Sequence, residues 1–480
     1  MEWKPDKNNS KAVYKQIADY MEKGIQNGLF PIDKPLPSER KLAEAFKVNR
    51  STIVAAYAEL EANGLVEKRR GSGTVVSKDI WGLAKKRIPS WNKYIERGSF
   101  QANMPVAQRI RNISEEESLV NFASGELSDE LMPDEYVRKI IKSGEFSGHL
   151  GYDHPQGNIG LRETIGEHVK RYKGINAEPE SILVTSGAQQ AIHLIIECLL
   201  KPGDAVVIEN PSYHYSLPIF KSAGLNVFHL DINKNGINPE DLIDLHKKHQ
   251  IKMIFLNPIF QNPTGTLLSV AKRKKILDLS SEFGIPIVED DPYSLLNYTG
   301  EDTSTLKSLD ENGNVLYISS LTKIAASGFR IGWVIGPQPV IERLSDAKQQ
   351  FDFGHSIFSQ WLGNEFLRSE YFETHIQSLK IRLEQKRDKM IKSITELLQD
   401  QVDYFFPHGG IHLWCRLKKG IDEIKLLEQS IEEGVIFTPG SILGTKSGFM
   451  RLTYGKASDE EIPIGIKRLA KALGKITSQA

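Results

Sequence analysis

Lys323 stands in a stretch of small residues, with Ser320 three positions before it and Arg330 seven after. It follows the strand-like run Val315-Leu316-Tyr317-Ile318. A lysine amine condenses with an aldehyde to give a Schiff base. A serine hydroxyl and a bidentate arginine beside it suit a phosphate. An aldehyde that also carries a phosphate describes pyridoxal phosphate. A surface lysine near an unrelated arginine would read the same over so short a span, so the remaining polar residues must decide.

Those residues recur after strand-like runs. Ser181–Val184, Ala205–Ile208, Met253–Leu256 and Ile285–Val288 are short and apolar, and helical segments such as Gln190–Leu200 and Val270–Phe283 lie between them. This alternation predicts an α/β domain with a mainly parallel sheet. Ligands of such sheets bind beyond the carboxyl ends of the strands. Thr185-Ser186-Gly187-Ala188-Gln189-Gln190 follows one strand and opens a helix, whose first N–H groups suit phosphate. Tyr213, in Asn210-Pro211-Ser212-Tyr213, can stack on a flat ring, and an Asn amide in Asn257-Pro258 or Gln261-Asn262-Pro263-Thr264-Gly265 can donate to a phenolic oxygen. A buried Asp in Glu289-Asp290-Asp291-Pro292-Tyr293 can keep a pyridine nitrogen protonated, which makes the ring an electron sink. Upstream, Tyr152 offers a hydroxyl on a loop that includes Gly151, Gly157 and Gly160.

The first eighty residues follow another pattern. Val13, Ile17, Tyr20, Met21 and Ile25 predict an amphipathic helix over 10–27, stopped by Gly28. Ser38 is placed to cap a short helix carrying Leu42, Ala43 and Phe46, and Lys47-Val48 makes a tight turn. Asn49 is expected to cap a third helix, with Ile53, Tyr57 and Leu60 inward and Asn63-Gly64 ending it. Leu65–Arg70 and Thr74–Val76 then read as two strands around Gly71-Ser72-Gly73. Together these elements make a winged helix. Asn49, Arg50, Ser51 and Thr52 lie at the end of the helix that a helix-turn-helix lays in the major groove, where Arg50 can read a guanine edge. Arg40 is better placed for the backbone, and Lys68, Arg69 and Arg70 add charge to a small glycine-tipped wing.

At 480 residues the chain allows two or three domains, and its 40% apolar and 25% charged composition is that of an ordinary soluble protein. No apolar run reaches the ~20 residues of a membrane span, and the N-terminus lacks a signal-peptide core. Cys198 and Cys415 form neither a disulfide framework nor a metal quartet, and both sit in apolar runs, so a reducing cytoplasm is expected. Formal net charge is zero, yet residues 1–114 hold 21 Lys+Arg against 12 Asp+Glu, or +9, which leaves −9 for the rest. Such asymmetry fits a nucleic-acid-facing end on an acidic body. From Ser77 to about Glu117 the periodicity is poor. Scattered Trp81, Trp91, Tyr94 and Phe100, with seven Lys+Arg against two Asp+Glu over 79–114, read as a solvated tether with anchoring aromatics.

Two resemblances follow. Leu36-Pro37-Ser38-Glu39-Arg40, Leu42-Ala43, Val48-Asn49-Arg50-Ser51-Thr52-Ile53 and Gly64-Leu65-Val66 through Thr74 resemble the GntR-type winged helix, over roughly residues 10–77. The ordered polar set ending at Lys323 resembles the fold-type I aminotransferases, over about 118–475, with 78–117 as linker. That second resemblance implies a mostly parallel sheet with a small C-terminal α+β domain. It implies Lys323 as the Schiff-base lysine, Asp290 at the pyridine nitrogen, Asn262 and Tyr293 at the phenolic oxygen, and Tyr213 on the ring. Ala188, Gln189, Ser320 and Arg330 would bind phosphate, joined by Tyr152 from the other subunit, and Arg451 would clamp a substrate carboxylate. A hydroxyl residue often follows the glycine of the phosphate turn; here Ala188 leaves only a backbone contact. The first resemblance implies Ser38, Arg40, Asn49, Arg50, Ser51, Thr52, Arg69, Gly71 and Gly73 at DNA. The fused pair resembles the MocR/GabR family of bacterial regulators. It implies a pyridoxal phosphate-binding transcription factor that answers to an amine, an amino acid or the cofactor itself, and a head-to-tail, domain-swapped homodimer on operator DNA. An active aminotransferase carrying a DNA-binding module is the rival reading. A DNA-binding module on a ligand-empty body is a third, and the intact Lys323, Asp290 and Arg330 weigh against it.

Overall fold

The structure, a computed structural model, describes residues 3–6, 11–69, 71, 73–78, 94–95, 97–144, 146, 150–398, 400–418 and 420–479. Arg70, Ser72, Trp81 and Trp91 of the sequence reading lie outside them. The chain divides into two compact units, Met1–Ser99 and Phe100–Ala480.

In the first unit, helix α1 (Val13–Gln26) buries Ile17, Met21 and Ile25 along one face. Helix α2 (Glu39–Phe46) starts where the Ser38 hydroxyl accepts the Lys41 N–H at 3.4 Å, and ends at Lys47 in the left-handed conformation. Helix α3 (Arg50–Ala62) buries Ile53, Ala56, Tyr57 and Leu60, and the Tyr57 hydroxyl donates to the Pro37 carbonyl at 2.6 Å. Asn49 precedes α3 with extended backbone, but its side chain makes no capping bond, so the capping expected of it is corrected. Strands β1 (Val66–Arg69) and β2 (Gly73–Val76) pair antiparallel, Arg69 opposite Gly73. Gly71 (φ 86°) and Gly73 (φ 75°) meet nothing within 4 Å at a built Cβ. The wing therefore asks for glycine by its backbone conformation, not for want of space. Leu42, Phe46, Ile53, Leu60, Val66 and Val76 share one core with the α1 face. Each such side chain contributes about 1.5–3 kcal/mol on burial.

The second unit is built on a seven-stranded sheet. Its strands are β3 (Ile182–Thr185), β4 (Ala205–Asn210), β5 (Asn226–Asp231), β6 (Met253–Leu256), β7 (Ile287–Asp290), β8 (Val315–Ser320) and β9 (Gly332–Ile335), in the order β3-β9-β8-β7-β6-β4-β5. All pairings are parallel except those of β9, which runs antiparallel to β3 and β8. The central strands are unbroken apolar runs because helices cover both faces. Val206, Ile208 and Phe255 pack to one side, while Val207, Ile254 and Leu256 pack to the other. A second sheet of four antiparallel strands, β10 (Val402–Phe405), β11 (His412–Leu417), β12 (Thr438–Pro439) and β13 (Phe449–Thr453), has the order β10-β11-β13-β12. Two long helices, Tyr371–Leu398 and Glu461–Gln479, share its core through Leu383, Met390, Ile466 and Leu469.

The aperiodic reading of 77–117 misses a helix, Pro105–Ile113. Pro105 opens it at a position where the absent N–H costs nothing, and Ile110 is buried. Arg109 pairs with Glu428 at 2.6 Å, the Gln101 N–H donates to Ser222 Oγ at 2.8 Å, and Phe100 stacks on His193. A narrow apolar stripe among polar residues hid this periodicity. Among the described residues no helix is long and apolar enough to cross a membrane.

Candidate cofactor site and nucleic-acid interface

The strands β3, β4, β6, β7 and β8 end at Thr185, Asn210, Leu256, Asp290 and Ser320, and the polar residues gather just beyond. One 3-10 turn, Leu321–Lys323, follows β8 and delivers Lys323 there. The Lys323 amine donates to the Gly125 carbonyl. Burial pulls its pKa down to about 8; Glu126 and Asp290 oppose the shift, while Arg451 and Arg330 add to it.

The other groups are tied together in sequence. The Asp290 carboxylate is buried, 3.6 Å from His214 Nε2, and its backbone carbonyl accepts from Asn257 Nδ2 at 2.9 Å. Asn257 Oδ1 accepts the Asn262 N–H at 2.7 Å. Asn262 in turn accepts at Oδ1 from Arg451 Nη1 at 3.0 Å and at its backbone carbonyl from the Tyr213 N–H at 2.9 Å. The Tyr213 hydroxyl accepts from Gln189 Nε2 at 2.6 Å. Tyr293 is buried, with its hydroxyl 2.9 Å from His412 Nε2.

At the other end of the site, Gly187 (φ 113°) introduces the helix Ala188–Leu199. Arg330 donates to the Ser186 carbonyl, and its Nη2 lies 3.2 Å from where a Cβ on Gly187 would be. Helix N-terminus and guanidinium thus meet at a corner without a side chain to fill it, and buried Ser320 ends β8 beside it, paired with Gly332, whose Cβ would lie 2.8 Å from Gly187 Cα. Tyr152 stands apart: it is 86% exposed, with its ring 5.6 Å from that of Phe353. Arg451, in β13, is buried and donates from Nη2 to the Ala123 carbonyl at 2.6 Å and to Thr438 Oγ1 at 3.1 Å. Its Nε is buried with no partner among the described residues, and burial draws its pKa down to about 10. It opens on a cleft of about 660 Å³ lined by Tyr213, Gln189, Gly125, Ile110 and Arg111 among others. A cavity of about 1400 Å³ lies elsewhere, between Lys272 and Phe405, so size does not mark the chemistry.

These residues fit pyridoxal phosphate on their donor set. There is an amine of lowered pKa for the aldehyde, a buried carboxylate for the ring nitrogen and a side-chain-free cationic corner for the phosphate. Sequence reasoning missed His214, His412 and Glu209; it singled out Asn257, which proves to position Asn262 and Asp290. Glu209 is buried, accepts the Asn257 N–H at 2.8 Å and is pushed up to about 8 by burial. His214 adjoins Tyr213 and could have been noticed; the other two carry no spacing signal.

On the first unit, Asn49, Arg50 and Ser51 are exposed and Thr52 is half-buried. Arg50 does not point free: its Nε and Nη2 both donate to one Glu39 oxygen, at 3.0 and 2.8 Å. Arg69 pairs with both Asp33 and Glu67 at 2.5 Å, and Arg40 lies exposed, 3.5 Å from Glu44. Wing and recognition helix therefore carry built-in counter-charges, which local sequence did not suggest.

Residues 117–469 match the aminotransferase class I and II family, and residues 13–76 match the bacterial regulatory proteins of the gntR family. The chain belongs to the aminotransferase class I and II family and carries a GntR DNA-binding domain ahead of it, which is the MocR/GabR type of regulator. It is 36% identical over 471 residues to the uncharacterized HTH-type transcriptional regulator YdfD of Bacillus subtilis, covering 97% of each chain. To the HTH-type transcriptional regulator NorG of Staphylococcus aureus it is 34% identical over 451 residues, 92% of this chain and 100% of the relative. Among solved structures it resembles the Pyrococcus horikoshii kynurenine aminotransferase in complex with PMP, with TM-score 0.75 and 30% identity over 80% of this chain and 98% of that one. It also resembles the Thermus thermophilus alpha-aminoadipate aminotransferase LysN complexed with a phosphopyridoxyl-leucine, with TM-score 0.74 and 28% identity over 82% and 100%. The second unit is thus a fold-type I aminotransferase domain, and its cofactor is pyridoxal phosphate.

Proposed function

We propose that this regulator senses a carboxylated amine at the aminotransferase-like site and passes the signal to its winged helix. The observation that carries this reading is Arg451: a buried guanidinium with an unpartnered Nε, at the floor of a cleft shared with Tyr213 and Gln189. A buried cation with donor capacity to spare favours an anionic ligand. Pyridoxal phosphate, when bound, would supply an aldehyde reactive toward amines, that of Lys323 included. Lys323 would hold the cofactor, Asp290 would keep its ring nitrogen charged, and Asn262 and Tyr293 would flank its phenolic oxygen. Tyr213 lies against the ring. The backbone of Ala188, with Gln189, Ser320 and Arg330, takes the phosphate.

The protein acts in the cytoplasm as a homodimer, head to tail, with Tyr152 of one copy reaching the phosphate of the other. The exposure of Leu150, Tyr152, Phe353 and Phe358, between 55% and 86%, supports a covered face there. Ligand shifts the DNA-binding state only by its differential affinity for two conformations, and a contact to Arg451 made in one of them supplies that difference. The test is operator affinity by fluorescence anisotropy, with cofactor, with and without carboxylated amines. Wild type changes affinity on adding one of them. Arg451→Met, shown by absorbance to hold cofactor, does not. A full response in that variant sinks the reading; if Lys323→Ala alone abolishes regulation, the cofactor itself is the effector. The complete set Lys323, Asp290 and Arg451 also favours a working aminotransferase, which turnover with keto acids would reveal.

A further inference from the structure

His412 is the first residue of β11, and antiparallel pairing sets it directly opposite Thr453 of β13. Its ring spans the gap between two hydroxyls. Nδ1 is 3.0 Å from Thr453 Oγ1, and Nε2 is 2.9 Å from the Tyr293 hydroxyl, with the two rings edge to face. It is 3% exposed. On its other side its Cε1 lies 3.5 Å, and the Lys323 amine 4.0 Å, from the position a Cβ on Gly125 would take. Lys323 and Arg451 are the cations facing it, Asp290 and Glu126 the carboxylates near them, and Tyr293 the other titratable partner. Burial, with the charges of Arg451 and Lys323, holds the imidazole well below its ordinary pKa, so the ring is neutral and bears one N–H.

Which nitrogen bears it follows from counting donors and acceptors. Thr453 is fully buried, and His412 Nδ1 is its hydroxyl's side-chain partner. With hydrogen on Nδ1, the threonine O–H would be left in the core with no acceptor among the described residues, at a cost of about 1–3 kcal/mol. With hydrogen on Nε2, the threonine O–H donates to Nδ1, and Nε2–H donates to the tyrosine oxygen. The unspent donor is then the Tyr293 O–H, which lies among Arg451, Asp290 and Tyr213, where a bound ligand can accept it. Asn262 is sorted by the same logic. Its carbonyl oxygen is taken by Arg451, which leaves its NH₂ to donate.

We infer that His412 is a positioning residue that fixes the polarity of Tyr293, so that this hydroxyl donates into the cofactor site together with the Asn262 amide. The inference rests on the cofactor reading of the previous subsection. A donor on the cofactor's phenolic oxygen would withdraw negative charge that otherwise helps keep a proton on Lys323 Nζ once that nitrogen is bonded to the cofactor. Weakening the donor therefore raises the pH midpoint of the bound cofactor's visible band.

The experiment is a spectrophotometric pH titration of full-length protein loaded with pyridoxal phosphate. His412→Phe raises the midpoint by about 0.5–1 unit, the equivalent of one neutral hydrogen bond, and in the same direction as Tyr293→Phe. His412→Gln, whose side-chain amide can still donate to Tyr293, restores a midpoint near that of wild type. A purely structural role for His412 would lower melting temperature in both variants without this split. An unchanged midpoint in a folded His412→Phe overturns the inference while leaving the cofactor site standing. If His412→Phe does not fold, Thr453→Val decides: it must also raise the midpoint, and an unchanged value overturns the inference. A wild type without a visible band, or a Lys323→Ala variant that keeps it, overturns the cofactor reading and this inference with it.

Discussion

The lowered pKa of Lys323 makes the rate of cofactor capture a sharp function of pH. Only the neutral amine attacks an aldehyde. With a pKa of about 8, roughly one amine in ten is neutral at pH 7, against about one in 2,500 for an exposed lysine near 10.4, an advantage of about 250-fold. The sign is set by burial first: desolvation disfavours the charged form and so lowers the pKa of a base. Capture by the apoprotein, followed by stopped-flow absorbance between pH 7 and 9.5, should rise about fivefold from pH 7 to pH 8, less than twofold from pH 8 to pH 9, and flatten beyond. Arg451 is one of the two cations that lower the value, so Arg451→Met should move the break upward. Glu126→Gln removes a carboxylate that opposes the shift and should move it downward. A rate that climbs without a break past pH 9.5 would refute the reasoning, because the amine would then titrate as if exposed.

Gly187→Ala places a side chain at φ 113° and 3.2 Å from Arg330 Nη2, and about 1–3 kcal/mol of strain should weaken cofactor affinity by roughly 5–150-fold in an absorbance titration. On the winged helix, Arg50→Ala should cost about 1–3 kcal/mol of specific binding, less the ~0.2–1 kcal/mol that its pairing with Glu39 already withholds, and relax base preference at one position. Arg69→Ala should weaken binding to every sequence alike and flatten the salt dependence, measured by anisotropy at several salt concentrations. Wild-type binding in both arginine variants would show that the winged helix is not the reader.

Much of this protein is legible in local sequence. The glycines of the wing and the α2 cap at Ser38 rest on interactions among residues close in the chain, so composition and spacing carry them. The parallel strands pair over 21 to 47 positions, as Ala205 with Asn226 and Val206 with Met253, yet the central ones show locally as apolar runs because both their faces are buried. The strand ends at Asp290 and Ser320 were predicted to face a ligand, and they meet at one edge because parallel strands share their direction. The helix Pro105–Ile113 escaped because its apolar stripe gains its meaning only from the surface it packs on. That packing is a property of the folded unit, and the sequence between Ser77 and Glu117 looks like a tether without it.

What only tertiary structure decided is the state of each charged or polar group. Lys323 lies 198 positions from the carbonyl its amine donates to, and Arg451 lies 189 from Asn262. No spacing rule reaches that far. Burial and the mutual arrangement of Glu126, Arg330 and Arg451 set the pKa of Lys323, and these exist only once the strands are in register. The same holds for the counter-charges on Arg50 and Arg69, and for His412, whose two nitrogens acquire partners from β13 and from the loop after β7. Sequence determined which chemical groups are present and the order in which the strands deliver them. The tertiary fold decided which are neutral, which are already paired and which still have a donor to give, because desolvation and hydrogen bonding depend on neighbours in space.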